Sequence, residues 1–400
     1  MVPTYDYVII GGGIAGLYMA YKLNKREPNK KILILERNRT IGGRIDTVDN
    51  KYEAGAMRFH DNHKLLLALI YELGLSDKIE PTTNFEGFIP SKGKQRGQLL
   101  DWKQINTITN KLTPPIPNDI TFMEFAKQNN RLTDDEIKLL NNFYGYSSEL
   151  TVMNAKDTVA LMRRHFNSKR QYYNMKGGLS QIIQELRLRI NAHVMTRRRV
   201  TNIEYAKGYF EIECEDIKQK YTAEKCICAV TKDTLLQFPI FKPIYPLLGL
   251  IKTLPLCRIY SQVPDLPKVK ITTDNNLRIV IPIDDNKNTV MMSYTDNKYA
   301  RFWKKMLDED GIEQVNIEHK RLLEQTFNRE VAMPKNTQVF YWEHGVAYFA
   351  PGFDSETMPK EIMKPLKDIP IFVCGENYSE RNNQWMEGAL DTSEYIIKFI

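Results

Sequence analysis

The stretch YDYVIIGGGIAG, Tyr5 to Gly16, is followed after a helical run by ILILE, Ile32 to Glu36. A short apolar strand, glycines at the first, third and sixth positions of the turn, a helix and a second strand ending in an acid together predict one βαβ unit. The glycines allow a tight turn, let the backbone approach a pyrophosphate and let the helix pack on the strand. The helix N-terminus then offers unpaired N–H groups and a positive dipole end. Because all parts occur in order, they predict a dinucleotide site and not an ordinary turn.

The acid at the end of the second strand indicates which dinucleotides can bind. Glu36 lies twenty residues after Gly16. A carboxylate at this distance can accept hydrogen bonds from a ribose hydroxyl and would repel a 2′-phosphate. Two segments that begin with glycine and end with arginine follow, Gly42-Gly43-Arg44 and Gly55-Ala56-Met57-Arg58.

Length and charge limit the function classes. The chain has 400 residues, which predicts two intergrown domains. Its net charge is +7, with basic and acidic residues interspersed. The run Arg197-Arg198-Arg199 is too short to indicate a nucleic-acid binder. We find no signal peptide and no stretch long enough to span a bilayer, so we expect a cytoplasmic protein without nucleic-acid or membrane partners. The oligomeric state stays open, and a homodimer is one option.

Cysteine and histidine spacing does not predict a metal site. The five cysteines are odd in number and lack zinc-site spacing, so we expect reduced thiols in the core in a reducing compartment. His60 and His63 are three residues apart at the start of a helical run, without further ligands nearby. We expect them to be surface or capping residues and not metal ligands.

The motifs together resemble a known family. The glycine fingerprint with its acid, Gly42-Gly43-Arg44 with Thr47, and the Gly-Ala-Met-Arg segment ending at Arg58 are similar to those of the FAD-dependent amine oxidase superfamily, which includes monoamine, polyamine and L-amino-acid oxidases. The L-amino-acid oxidase branch is the most similar. A Gly-Gly turn at Gly177-Gly178 and a second fingerprint, from Ile371 to Glu376 and from Trp385 to Leu390, extend the resemblance over the whole length.

The resemblance implies an α/β fold with a Rossmann-like FAD-binding domain, an intergrown α+β substrate domain of the amine oxidase (glutathione-reductase-2-like) type and a helical subdomain. The expected bounds are residues 1–85, 175–235 and 366–400 for the FAD-binding domain, 86–104 and 236–365 for the substrate domain, and 105–174 for the helical subdomain.

The resemblance also implies FAD as the cofactor. Glu36 would hold the adenosine ribose, Arg44 would lie against the flavin and diphosphate, Val200 would pack at the adenine and Glu376 would bind a ribityl hydroxyl. The helix after Trp385 would point its N-terminus at the flavin O2 region, where a positive helix end favours an anionic reduced ring. The full set of expected cofactor residues is Gly11, Gly13, Ile14, Ala15, Gly16, Glu36, Arg37, Gly43, Arg44, Gly55, Ala56, Met57, Arg58, Val200, Gly375, Glu376, Trp385, Met386 and Ala389.

Four residues are expected at the reacting centre: Arg58, Arg258, Trp385 and Tyr348. In L-amino-acid oxidases the arginine of the segment that resembles Gly55 to Arg58 binds the substrate carboxylate, for which a planar guanidinium is suited. The alternative for Arg58 is an ion pair that ties its loop to a neighbouring acid. Trp385 would form an aromatic wall beside the flavin with Tyr348 or Phe349 opposite, or would only pack at a helix start.

One position departs from the family pattern. Cys257-Arg258-Ile259-Tyr260 reads as the strand that usually carries a lysine, which is bonded through water to flavin N5. Arginine is larger and always charged, so the exchange is not conservative. Arg258 could alter the reaction with oxygen or could itself bind the carboxylate.

The expected function is oxidative deamination of an L-amino acid, with hydride transfer to flavin N5 and O2 as acceptor, giving a 2-oxo acid, ammonia and hydrogen peroxide. The alternatives are a polyamine or monoamine oxidase, and a flavoprotein of this fold with weak or lost oxidase activity. The partners are therefore a small amino acid or amine and O2.

Local patterns predict several further elements. Residues 85–102 read as a β-hairpin with its turn at 91–97, and residues 345–352 as an aromatic loop. The predicted helices include 122–130, 134–144 with Thr133 as N-cap, 157–166, 179–190 and 314–327. His319, on the last of these, is expected to be a core or boundary residue with satisfied hydrogen bonds.

Overall fold

The chain divides into two units, each built from separate segments. The computed structural model describes residues 4–82, 86–89, 102–166, 170–215, 217–267, 270–284 and 288–400. The first unit comprises Met1–Thr82, Tyr172–Thr253 and Phe353–Ile400, and the second comprises Thr83–Gln171 and Leu254–Gly352. These bounds differ from the predicted ones, because 236–253 and 353–365 belong to the first unit. The helical subdomain is expected over 105–174, and in the structure residues 105–171 share the second unit with a large sheet while 172–174 belong to the first unit.

Eighteen strands are present among the described residues: β1 Tyr5–Ile10, β2 Ile32–Leu35, β3 Thr47–Val48, β4 Tyr52–Glu53, β5 Phe59–His60, β6 Ile79–Pro81, β7 Glu86–Ile89, β8 Tyr172–Met175, β9 His193–Met195, β10 Val200–Ala206, β11 Tyr209–Cys214, β12 Ile217–Cys228, β13 Ile251–Gln262, β14 Lys270–Thr273, β15 Ile279–Asp284, β16 Thr289–Asp296, β17 Lys335–Phe349 and β18 Ile371–Val373.

The α-helices of the same residues are α1 Ile14–Arg26, α2 Lys64–Glu72, α3 Trp102–Thr109, α4 Phe122–Gln128, α5 Asp134–Tyr144, α6 Ser148–Thr151, α7 Ala155–His165, α8 Ser180–Arg189, α9 Lys232–Leu235, α10 Tyr245–Gly249, α11 Asn297–Phe327, α12 Met358–Met363 and α13 Met386–Ile396. None of these helices is both long enough and apolar enough to cross a membrane.

The first unit is built around β1. This strand pairs in parallel with β2 on one side and with β12 on the other, and β12 pairs in parallel with β18. The sheet order is β10-β11-β12-β1-β2-β9, with β18 attached to β12. Since parallel strands end at the same edge, Gly11, Glu36, Ala229 and Gly375 all follow strands at one edge of this sheet. A ligand site is expected at that edge.

A smaller sheet of the first unit carries the segment after Arg58. Its order is β5-β8-β6, with Phe59 opposite Tyr173 and His60 opposite Tyr172. Helix α2 begins four residues after β5. The sheet therefore fixes the backbone next to Arg58 against a segment more than one hundred residues away in the sequence.

The second unit contains a sheet of order β17-β13-β16-β15-β14-β7. A core that includes Trp303 and Leu323 of α11 packs on it. Helices α4 and α5 begin with capping boxes, in which Thr121 and Thr133 pair with the acids three residues later. Helix α11 is broken at Gly311, where φ is 81° and ψ is 178°.

Most predicted elements are confirmed, including α5 with Thr133 as its N-cap. One prediction is wrong. Residues 345–349 continue β17 and do not form a loop. The predicted helix 314–327 is confirmed as the part of α11 that follows the break at Gly311, and the part before the break, from Asn297, is not among the predicted helices. The turn of the predicted hairpin, residues 91–97, lies outside the described residues.

The prediction of reduced cysteines in the core is confirmed. All five cysteines are free and buried. Burial raises the pKa of the Cys374 thiol to about 12 and that of Cys257 to about 12, so both stay protonated at neutral pH.

Candidate functional site

The glycines after β1 have separate roles. A Cβ on Gly11 would lie 2.4 Å from the Ala229 carbonyl oxygen, and one on Gly16 would lie 2.1 Å from the Gly11 oxygen, so both positions require close backbone packing. Gly13 is different, because the nearest atoms to an added Cβ are the Gly42 oxygen and the Gly43 Cα, both at 3.9 Å. There is therefore free space beside the backbone at Gly13, but none at Gly11 and Gly16.

The N-terminus of α1 has no side-chain cap. Its N-cap is Gly13, and its first turn contains no acid. Ile14 and Ala15 are buried, with 8% and 6% of their surface exposed. The first N–H groups of a helix have no intrahelical acceptor, and leaving them buried without a partner is costly. An anionic group at this end would satisfy them.

Glu36 lies beside this helix end with 5% of its surface exposed. Its carboxylate accepts hydrogen bonds from the backbone N–H of Gly12 and of Asn38, both at 2.8 Å. These bonds hold the carboxylate at the edge of the sheet, between the glycine turn and the loop after β2. The predicted hydrogen bonds of Glu36 to a ribose stay a prediction.

Arg44 and Glu376 form an ion pair. Glu376 also accepts a hydrogen bond from the Asn377 side chain at 2.5 Å. The two predicted fingerprints therefore meet, although they are 332 residues apart. Gly55 also lies against Arg44: a Cβ there would lie 2.0 Å from the Arg44 oxygen, and the Ala56 N–H donates to that same oxygen at 2.7 Å.

Arg58 is partly buried beside Tyr172. The guanidinium carbon lies 5.0 Å from the centre of the Tyr172 ring. Within the described part of the chain, Arg58 makes no hydrogen bond and no ion pair. The structure therefore does not support the alternative in which Arg58 ties its loop to a neighbouring acid.

Trp385 is the N-cap residue of α13 and is partly buried. Its ring contacts His63 at 4.8 Å and His60 at 5.3 Å between ring centres, both edge-on. Tyr172 lies 6.5 Å away at an interplanar angle of 33°. Three rings therefore pack against Trp385, which alone does not decide between a structural role and an aromatic wall.

The prediction for the two histidines is wrong. His60 and His63 are buried, at 0% and 1% exposed, and their rings lie 3.7 Å apart. His63 occupies the N-cap position of α2 but makes no side-chain cap. The Nδ1 of His60 accepts from the Asn62 N–H at 3.2 Å, and the Nδ1 of His63 accepts from the His60 N–H at 3.4 Å. Both Nδ1 atoms therefore act as acceptors of backbone hydrogen bonds. Local spacing could not reveal this burial, because the covering ring of Trp385 comes from the other end of the chain.

Tyr348 belongs to the second unit and is 1% exposed. Its hydroxyl donates to the Asp296 carboxylate at 3.2 Å, and Asp296 also accepts from the backbone N–H of Ser147 and Ser148 at 3.2 Å each. Burial raises the pKa of Asp296 against the effect of these bonds. Tyr348 is therefore fixed by a buried acid. Its proposed pairing with Trp385, which lies in the other unit, stays a prediction.

Arg258 lies in β13 of the second unit with 2% of its surface exposed. Its guanidinium carbon is 4.2 Å from the centre of the Tyr294 ring, and Nη2 donates to the Tyr294 hydroxyl at 2.8 Å. Tyr294 is its direct partner across the β13–β16 pair. Both contacts restrict Arg258, and its role in place of the usual lysine stays a prediction.

The sequence matches one family over nearly its full length. Residues 14–395 match the family described as flavin containing amine oxidoreductase. The chain belongs to this family. FAD is the cofactor, and the fold is that of the FAD-dependent amine oxidases.

Three similar proteins illustrate the family match. An uncharacterized protein of Acanthamoeba polyphaga mimivirus is 23% identical over 98% of this chain and 93% of its own length. Flavin-containing amine oxidase A of Equus caballus is 40% identical over 30% of this chain and 21% of its own length. A mutant of putrescine oxidase with redesigned cofactor binding shares the fold, with a TM-score of 0.78, 13% identity and coverage of 99% and 98% of the two chains.

The residues at the sheet edge fit FAD in this flavin-containing amine oxidoreductase. The uncapped, buried N-terminus of α1 and the open backbone at Gly13 suit a diphosphate, and Glu36 suits the ribose. Arg37 is exposed and Val200, the first residue of β10, is 6% exposed. The second fingerprint follows β18, where Glu376, Met386 and Ala389 are each 8% exposed or less. The N-terminus of α13 has no side-chain cap, which leaves it suited to the flavin O2 region.

Sequence reasoning missed two residues beside the predicted ones. Tyr172 contacts Arg58, and the Glu387 carboxylate accepts hydrogen bonds from the first turn of α2. Glu387 was visible as an acid in the first turn of a helix, but its partner was not. Tyr172 carries no local signal, because the tyrosines before Gly177 are typical of any strand.

Proposed function

We propose that this amine oxidoreductase is an L-amino-acid oxidase, which converts an L-amino acid, O2 and water into a 2-oxo acid, ammonia and hydrogen peroxide. One observation carries the proposal: the partly buried guanidinium of Arg58 has no hydrogen-bond or ion-pair partner among the described residues. A partly desolvated charge gains from a counter-charge, and the planar fork of a guanidinium matches a carboxylate. A substrate that carries a carboxylate beside its amine supplies the missing partner.

The mechanism divides between cofactor and protein. FAD, when bound, supplies the oxidant that takes a hydride from the carbon bearing the amine. Arg58 binds the carboxylate and so fixes the orientation of that carbon. Trp385 presents a ring whose face favours a partly positive amine. Oriented binding of this kind lowers the barrier without further covalent chemistry from the protein.

A monoamine or polyamine oxidase is the second candidate. The similarity to amine oxidase A over part of the sequence and to the fold of putrescine oxidase favours it. Substrates of that class lack a carboxylate, and Arg58 would then have no ligand group to bind. The cytoplasmic location and the oligomeric state stay predictions.

Anaerobic titration of the purified yellow protein distinguishes the two candidates. Each L-amino acid is paired with the amine that lacks only its carboxylate, such as L-phenylalanine with 2-phenylethylamine and L-ornithine with putrescine. We expect an L-amino acid to bleach the flavin much faster than its amine, with the D-enantiomer as control. Bleaching by the amines alone would show that the protein is an amine oxidase of the other kind. Release of hydrogen peroxide on admitting air tests O2 as the acceptor.

A further inference from the structure

Tyr172 and Arg58 form a cation–π pair within the first unit. The guanidinium carbon lies 5.0 Å from the ring centre, which is within the range of a cation–π contact. The two residues are far apart in the sequence and meet because β5 pairs with β8. Among the described residues, no hydrogen bond or ion pair restrains the Arg58 side chain in addition to this contact.

The Tyr172 ring is held in place from several directions. It is 3% exposed, and its backbone lies opposite His60 in the small sheet. The His60 ring contacts it edge-on at 5.5 Å, and the Trp385 ring lies 6.5 Å away. The Tyr172 carbonyl also accepts a hydrogen bond from the Thr82 N–H at 2.9 Å. Tyr172 is therefore a fixed surface, whereas Arg58 is a long side chain with a large rotamer entropy.

A cation–π contact has a specific consequence for a guanidinium. The ring attracts the cation without accepting a hydrogen bond from its N–H groups, so these groups stay free to bind a carboxylate through two parallel hydrogen bonds. An arginine oriented in this way before binding loses less entropy when its ligand arrives. A lysine could not use the ring face and bind in plane at the same time.

We propose that Tyr172 is a positioning residue of the amino-acid oxidase reaction, which holds the Arg58 guanidinium in the orientation that binds the substrate carboxylate. This inference rests on the proposed function. Tyr172 acts through Arg58 and need not touch the substrate. Its contact with Trp385 places the carboxylate-binding group and the expected aromatic wall against the same side chain.

Benzoate binding to the FAD-loaded protein, measured by calorimetry, tests the inference without relying on turnover. The variants are Tyr172→Phe, which keeps the ring, Tyr172→Leu, which keeps apolar volume without a ring, and Arg58→Ala. We expect Tyr172→Leu to raise the Kd of benzoate by about tenfold, from the usual strength of a partly buried cation–π contact. Tyr172→Phe should change it less than twofold. In the Arg58→Ala background, Tyr172→Leu should have no further effect.

The outcomes separate the two proposals. If Arg58→Ala raises the Kd and Tyr172→Leu does not, the positioning role is refuted and the proposed function stands. An equal effect of Tyr172→Leu with and without Arg58 would make Tyr172 a packing residue, which also refutes the inference. If Arg58→Ala leaves the Kd unchanged, or the wild type binds no benzoate, the proposed carboxylate site fails and the inference fails with it. The flavin-to-protein absorbance ratio of each variant shows whether it folds and retains FAD.

Discussion

The Glu387 carboxylate lies 2.8 Å from the backbone nitrogen of Leu66, so a side chain of α13 caps the N-terminus of α2. Its other oxygen accepts from the Leu65 N–H at 3.0 Å. Helix α2 has no side-chain cap of its own and no acid in its first turn. The remote cap joins the helix that follows Arg58 to the helix that follows Trp385. Burial raises the pKa of this carboxyl, while its hydrogen bonds lower it.

Replacement of Glu387 should therefore destabilise the first unit. We expect Glu387→Ala to lower the free energy of unfolding by about 1–3 kcal/mol, the cost of losing a helix cap and leaving buried N–H groups without acceptors. Glu387→Gln should cost less, since the amide oxygen still accepts. Thermal unfolding with and without FAD measures the effect. The exposed Glu330 supplies the control as Glu330→Ala, and an equally small shift for both would contradict the role of the cap.

Alanine substitutions at two glycines of the fingerprint, Gly13 and Gly16, should have different effects. Gly13→Ala places a methyl group in open space, 3.9 Å from the nearest atoms, and Gly13 has φ of −77°, which alanine adopts readily. We expect this variant to fold but to lose FAD. Gly16→Ala places the methyl group 2.1 Å from the Gly11 oxygen and should destabilise the protein itself. The flavin content after gel filtration and the unfolding temperature of the flavin-free protein distinguish them. A Gly13→Ala protein with full flavin content would show that no diphosphate lies there.

Replacement of Arg58 should lower activity most for substrates that carry a carboxylate. We expect Arg58→Ala to lower kcat/KM for amino acids by about 10- to 100-fold, from the usual strength of hydrogen bonds to a charged group. The matched amines without a carboxylate should be affected little. Arg58→Lys keeps the charge but not the planar fork of the guanidinium. Its kcat/KM for amino acids should therefore lie between those of the wild type and Arg58→Ala. Steady-state kinetics on the matched pairs measures this, and an equal loss on both members would make Arg58 structural.

Arg278 should be essential for the second unit. It is 2% exposed, and its guanidinium donates to the carbonyl oxygens of Gly145, Thr273 and Asn141, each at 3.0 Å. Burial lowers its pKa. We expect Arg278→Met to lower the free energy of unfolding by about 3–5 kcal/mol, because three carbonyl acceptors, two of them buried, lose their donor. Arg278→Lys should lower the free energy of unfolding by less than Arg278→Met does. Limited proteolysis and thermal unfolding measure the loss, with Arg329→Met at an exposed position as control.

His319 should make stability depend on pH. It is fully buried, its ring stacks 4.0 Å from that of Trp303, and Nδ1 lies 2.8 Å from the Val315 carbonyl oxygen. Nδ1 carries the proton toward that oxygen, and Nε2 has no partner among the described residues, so the predicted satisfied histidine is only half satisfied. Burial lowers the pKa of His319 from 6.5 to about 4.

The unfolded chain therefore binds the proton first as the pH falls. The contribution of His319 is fully present above pH 6.5 and is lost between pH 6.5 and about 4. The loss amounts to about 3 kcal/mol at low pH. His319→Phe keeps the stack and removes the titration, so its unfolding temperature should fall less steeply over this range than that of the wild type. Parallel curves for the two proteins would contradict the prediction.

Much of the first unit could be predicted because its signals are local. The strand, glycines, helix, strand and acid from Tyr5 to Glu36 each reflect a backbone or burial requirement that neighbouring residues satisfy, and the structure has them all. The same holds for Thr133, whose capping partner is three residues away. The family membership follows from such segments in fixed order.

Only the tertiary structure decided which side chains meet. The pairs Arg58–Tyr172, Arg44–Glu376 and Glu387–Leu66 join residues separated by more than one hundred positions. Periodicity along a strand or helix indicates which face is buried, but it carries no information about the element that covers that face. The family resemblance predicts Arg58 as a carboxylate ligand, whereas only the folded chain shows that its guanidinium lies over the Tyr172 ring with no acid beside it among the described residues.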